Sequence, residues 1–195
     1  MKNLKKSNLT ILLNQLTTLD LDAIKFKLMD PEEGEGWTRE QADAVDLMYR
    51  RFLFLNIKFP DETIVPNKLI DKFWHAHILD TQKYMDDCQT LFGEYLHHFP
   101  YLGMRGEDDA RLLADSFETT LSLFSHEFGV GLAATGDRSV EATKCSSACN
   151  STSNCWGGAG CSGGKCNVKK ANNIRPRLPV STGRVTLYSE ILNAN

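Results

Sequence analysis

Apolar residues recur at three- and four-residue intervals through most of the first 130 positions, which is the period of an amphipathic helix rather than of a strand. Ala44, Val45, Leu47, Met48, Phe52, Leu55 and Phe59 follow this spacing. Thr38 and Gln41 form a capping box in front of them, so a core helix is predicted over Ala42 to Lys58. Pro31 ends an earlier helix near Met29, and Glu32 to Gly36 reads as a turn. Pro66 suits the first turn of a helix carrying Lys68 to about Phe92, with Gly93 as its stop. Asp80 and Thr81 are both good N-cap types, and a break there would fold this segment into two helices. A last helix is predicted from about Glu107 to Phe128, stopped by Gly129, with Phe117, Leu121, Phe124 and Phe128 at core spacing. His126 and Glu127 read as surface residues, because the zincin helix pattern needs a second histidine three residues beyond the glutamate.

Beyond residue 130 the periodicity stops and Gly, Ser and Asn dominate, which argues against regular structure until a short strand or helix over Arg184 to Leu192. The expected fold is therefore all-α: a compact helical bundle over residues 1–130, followed by a largely irregular Cys/Gly/Ser-rich tail over 131–195. With 195 residues and 42% apolar composition, the chain can build one ordinary core. No stretch approaches the roughly 20 apolar residues of a membrane span. Leu9 to Leu16 is too short and polar for a signal sequence, so a cytoplasmic protein with reduced thiols is expected.

Charge divides the chain near residue 140. From Glu141 onward seven basic residues face two acidic ones, a net of +5, whereas the first 140 residues hold 15 basic and 23 acidic, a net of −8. An acidic body with a basic tail invites intramolecular docking or an acidic partner, against the plainer reading of a solvated tail. Nucleic-acid binding is disfavoured, because the tail's charges are dispersed and only Trp156 and Tyr188 accompany them.

Candidate chemistry concentrates between Asp71 and Pro100, where four of the five histidines lie. Imidazole is the commonest protein metal ligand. At 100° per residue, His75 and His77 are about 200° apart, so one straight helix cannot aim both at one ion. His77 falls on the apolar stripe of Ile70, Phe73, Trp74, Tyr84, Cys88 and Leu91, whereas His75 lies on a flank one turn from Asp71. On an unbroken helix His77 and Cys88 would be about 16 Å apart, too far to share a metal. Pro100 biases Phe99 towards extended backbone, which puts His97 and His98 in a loop free to fold back on the helix. The metal reading takes His77 with His97 or His98, and His75 or Cys88 as further ligands, binding Zn or another transition metal. The competing reading makes His77 a core histidine bonded to Asp80 or Tyr84, Asp71 with His75 a surface pair, and Cys88 a small core hydrophobe. A metal-dependent hydrolase would also need a general base, for which Glu94 and Asp80 are the nearby candidates.

The run Asp71, Trp74, His75, His77, Leu79, Tyr84, Asp87 and Cys88, with His97 to Tyr101 and Arg105-Gly106, resembles the glycine-rich domain-containing protein-like family over about residues 38–128. The resemblance implies an all-helical fold and a glycine-rich tail, and carries no catalytic assignment.

Cys145, Cys149, Cys155, Cys161 and Cys166 are separated by three, five, five and four residues. No Cys-x-x-Cys knuckle occurs, which disfavours a zinc ribbon. These thiols would order so apolar-poor a segment only through bridges or a soft metal. They also suit a precursor or carrier whose tail is modified behind a folded leader by a modification enzyme or other protein partner. Three function classes follow: a metal-binding helical domain whose tail binds a second metal, such a precursor, and a metal-free helical interaction protein.

Overall fold

The computed structural model describes residues 6–132 and 175–179. Among the described residues there are six helices and no strand: α1 (Lys6–Thr18), α2 (Asp22–Met29), α3 (Arg39–Lys58), α4 (Lys68–Leu79), α5 (Thr81–Leu91) and α6 (Glu107–Phe128). None is long and apolar enough to cross a membrane. The predicted tail, with Cys145, Cys149, Cys155, Cys161 and Cys166 and the element expected at Arg184 to Leu192, lies outside the described residues apart from 175–179.

The capping box is present at α3: the Thr38 hydroxyl accepts from the Gln41 amide, and the Gln41 side chain accepts from the Thr38 amide at 2.9 Å. α3 packs against α1, α2, α4 and α6 and is buried on more than the expected stripe. Tyr49, Leu53 and Phe54 join Val45, Met48, Phe52 and Leu55 in the core, whereas Ala44 is exposed. A central helix is buried nearly all round, and its periodicity is correspondingly blurred. Arg50 shows how this helix ties down its neighbour. Paired with Asp46, its guanidinium donates to the carbonyls of Leu16 and Leu19, satisfying groups at the end of α1 that the helix cannot pair itself.

The N-terminal region holds two helices where a single earlier one is expected. α1 ends at Thr18 and α2 begins at Asp22, whose amide donates to Asp20 Oδ1 at 3.2 Å. Pro66 stands just outside α4 rather than in its first turn, because Asn67 takes the N-cap position and accepts from the Ile70 amide at 2.9 Å. The segment from Lys68 to Leu91 breaks at Asp80, which ends α4 and whose side chain accepts from the Lys83 amide to start α5.

α6 closes the bundle on the other side. Its acidic first turn of Glu107, Asp108 and Asp109 suits the positive end of the helix dipole, and Gly129 terminates it at φ 64°. Phe54 and Phe128 meet edge to face at 5.7 Å, and Thr120 accepts from the Val65 amide at 2.9 Å. Glu127 is a departure from the surface expectation: its side chain is only 6% exposed and pairs with Lys58 of α3, whereas His126 is exposed.

Candidate metal centre

Three ligand atoms from α4 and the loop after α5 converge. His98 Nε2 lies 3.1 Å from His75 Nε2 and 3.2 Å from Asp71 Oδ1, and the remaining edge, His75 Nε2 to Asp71 Oδ1, is 3.7 Å. Among the described residues, Asp71, His75 and His98 are the group of metal-capable side chains close enough to share one ion. The i,i+4 spacing puts Asp71 and His75 on one face of α4, and the loop delivers His98 over them.

The loop is positioned by a chain of hydrogen bonds through the residues between. Trp74 Nε1 donates to the Tyr84 hydroxyl at 2.8 Å, and that hydroxyl donates to the Leu96 carbonyl at 2.6 Å. The Trp74 ring also packs on His98, with centroids 4.6 Å apart. One aromatic pair therefore links α4, α5 and the loop just before His97 and His98. Asp71 is buried at 8% side-chain exposure whereas His75 is 37% exposed, so the expected surface pair is half-buried, with its carboxylate inside. Burial is the largest influence on His75 and lowers its pKa; Asp71 opposes it and the neighbouring His98 adds to it. A lowered pKa favours the neutral ring, the form that coordinates metal.

His77 is elsewhere. Only 1% exposed, it faces the Tyr49 hydroxyl at Nδ1 and Asp87 Oδ2 at Nε2, both at 2.9 Å, while Lys83 donates to the same carboxylate oxygen at 2.8 Å. With Tyr49 donating to Nδ1 and Nε2–H donating to Asp87, neither ring nitrogen has a lone pair to offer an ion. Burial pushes its pKa down, opposed by Asp87. Its bonding partners are Tyr49 and Asp87, not the expected Asp80 or Tyr84; Tyr84 touches it edge to face with centroids at 5.0 Å. Cys88 is buried beside Tyr84 and the Leu96 backbone, where burial pushes its thiol pKa up. His97 packs against Tyr95 at a tilt of 50°, with centroids at 4.9 Å, outside the triangle. Periodicity alone leaves out Asp71, the third metal-capable corner, although its i,i+4 placement beside His75 is visible in the sequence.

A cleft of about 200 Å³ runs beside the triangle, lined by Asp71, Trp74, His97 and His98 and, among others, by Thr63, Ile64, Phe99 and Leu113. Neither expected base lines it. Asp80 is held by Arg175, and Glu94 is exposed; Glu62 is the lining glutamate.

The fold and this triangle define an all-α protein with a cluster of metal-capable His and Asp side chains at a cleft. Residues 22–120 match the UCP032817-like family, and the chain belongs to it. The match spans the entire Asp71 to Arg105 run and corrects the likeness to the glycine-rich domain-containing protein-like family. Trp74, His77, Tyr84 and Cys88, which carry that likeness, are internal packing and hydrogen-bonding residues. Comparisons with curated proteins and with solved structures find no match.

Proposed function

We propose that this protein is a metal-binding helical domain in which Asp71, His75 and His98 hold one transition-metal ion at the edge of the cleft. The observation that carries the reading is the size of the triangle. A tetrahedral ion with bonds of 2.0–2.1 Å separates its ligands by about 3.3–3.4 Å, and the edges here are 3.1, 3.2 and 3.7 Å. Two imidazoles and one carboxylate form the donor set of catalytic zinc sites with two histidines and a carboxylate, and of the facial triad of ferrous enzymes. Both leave positions open, and Asp71 and His98 both line the cleft. An ion there would act as a Lewis acid towards water or a small oxygen ligand entering the cleft.

The test uses full-length protein without a histidine tag, stripped of metal and with its accessible thiols alkylated so that cysteine cannot compete. Titration with Zn(II) is expected to saturate at one ion per chain. His75→Ala and His98→Ala should each weaken binding by more than the ~10–100-fold that loss of an outer hydrogen-bonding partner costs. His126→Ala, an exposed histidine, should change nothing. Unaltered affinity in both His75→Ala and His98→Ala would return the triangle to a hydrogen-bonded cluster in a metal-free interaction protein.

A further inference from the structure

Residues 175–179, Arg-Pro-Arg-Leu-Pro, lie against bundle residues far from them in sequence. Arg175 grips Asp80 with both arms of its guanidinium, Nε to Oδ2 at 2.6 Å and Nη2 to Oδ1 at 2.8 Å. Arg177 reaches Asp20 at 3.3 Å, and Arg39 donates to the Pro179 carbonyl at 3.1 Å. Leu178 is half-buried. The three bundle residues come from the α1–α2 turn, the start of α3 and the α4–α5 break, so the receiving surface exists only in the folded bundle.

We propose that Asp20, Arg39 and Asp80 form a recognition surface for an extended Arg-Pro-x-x-Pro peptide, which this chain fills with its own residues 175–179. The division of labour fits peptide recognition. Asp80 reads an arginine bidentately, which demands planar geometry as well as charge. Asp20 supplies a second carboxylate, and Arg39 reads a backbone carbonyl. Pro176 and Pro179 restrict the chain before it docks, and a pre-restricted peptide loses less freedom on binding. Elsewhere Pro-x-x-Pro segments dock aromatic-lined grooves through a preformed extended helix; here the contacts are two carboxylates and Arg39. The contact with Arg175 also holds the Asp80 carboxyl below its usual range, led by the hydrogen bonds from the guanidinium. Any partner presenting an Arg-Pro-x-x-Pro peptide would compete with the clasp at Asp80.

The Asp80→Asn variant separates recognition from folding, because Asn caps a helix as well as Asp but carries no charge. Trypsin does not cleave before proline, so within residues 175–179 the Arg177–Leu178 bond is the cleavable one, and protection of that bond reads the clasp while Lys144, Lys165, Lys169, Lys170 and Arg184 are cut outside it. Initial cleavage of that bond, followed by mass, should be about fivefold faster in Asp80→Asn than in the parent chain, and the parent should speed up in high salt. A labelled peptide copying residues 174–180 should then bind saturably to full-length Arg175→Gln, whose own clasp is weakened. It should bind about fivefold more weakly when Asp80→Asn is added. Equal cleavage rates in parent and Asp80→Asn, with circular dichroism showing both folded, would overturn the clasp. Absence of saturable peptide binding to Arg175→Gln would overturn the surface as a recognition site.

Discussion

Asp109 gathers four donors on one carboxylate: the Gly103 amide at 2.6 Å, the Arg105 amide at 3.2 Å, and Arg105 Nε and Nη2 at 3.2 and 2.6 Å. The Arg105 hydrogen bonds lead in lowering its pKa to about 2. An unfolded aspartate titrates near 3.9, so between about pH 4 and pH 2 the unfolded chain binds more protons than the folded one. The stability this carboxylate contributes is complete above that window and lost as pH falls through it. Asp109→Asn should therefore be less stable than the parent at pH 6, and the difference should shrink towards pH 2 in chemical denaturation; a constant difference would contradict the assignment. The turn it fastens also depends on Gly103, at φ 83°, where an added Cβ would meet Leu113 Cδ2 at 2.5 Å. None of this was legible in sequence, because a carboxylate that organises a loop looks like any acidic residue at a helix N-terminus. His77 teaches the same lesson from the other side. Its place on the apolar stripe was readable, yet its partners, Tyr49 and Asp87, come from helices whose pairing periodicity cannot supply.

At the scale of elements, punctuation was the most legible feature. The capping box before α3, the end of α2 at Met29 and the α6 span to Gly129 appear where Thr38, Pro31 and Gly129 put them. The break at Asp80 stood open in sequence because N-cap residues also occur inside helices. Tertiary packing resolves it by laying α5 against both α4 and α1. The fold-back that brings His98 to Asp71 and His75 depends on Tyr84, which joins Trp74 of α4 to the Leu96 carbonyl. Tyr84→Phe keeps the ring but deletes both bonds, leaving the indole N–H and the carbonyl without that partner, at about 1–3 kcal/mol for each group left unsatisfied. Since partners that orient ligands are worth about 10–100-fold in metal affinity, this variant should keep its helical circular dichroism and bind Zn(II) at least ~10-fold more weakly. Unchanged affinity would mean that the loop holds His98 in place without Tyr84.

For the whole molecule, the relevant property of the triangle is that its corners meet only in the native state. Asp71 and His75 are brought together by one turn of α4, but His98 arrives through α5 and the turn at Gly93, so the unfolded chain presents at most fragments of the site. A ligand that binds the native state alone stabilises it by RT ln(1 + [L]/Kd), which is about 2.7 kcal/mol at a free concentration of 100 times Kd. For a domain of this size that corresponds to a rise in melting temperature on the order of 10 °C. Metal-loaded protein with alkylated thiols should therefore melt well above its chelator-treated form, and returning Zn(II) should restore the difference. His98→Ala should melt at one temperature with or without the ion, because the loop then has no ligand to bring. His126→Ala should behave as the parent does. A parent chain that melts identically in chelator and in excess Zn(II) would leave Asp71, His75 and His98 as a polar seam that holds the loop to α4 by hydrogen bonds alone.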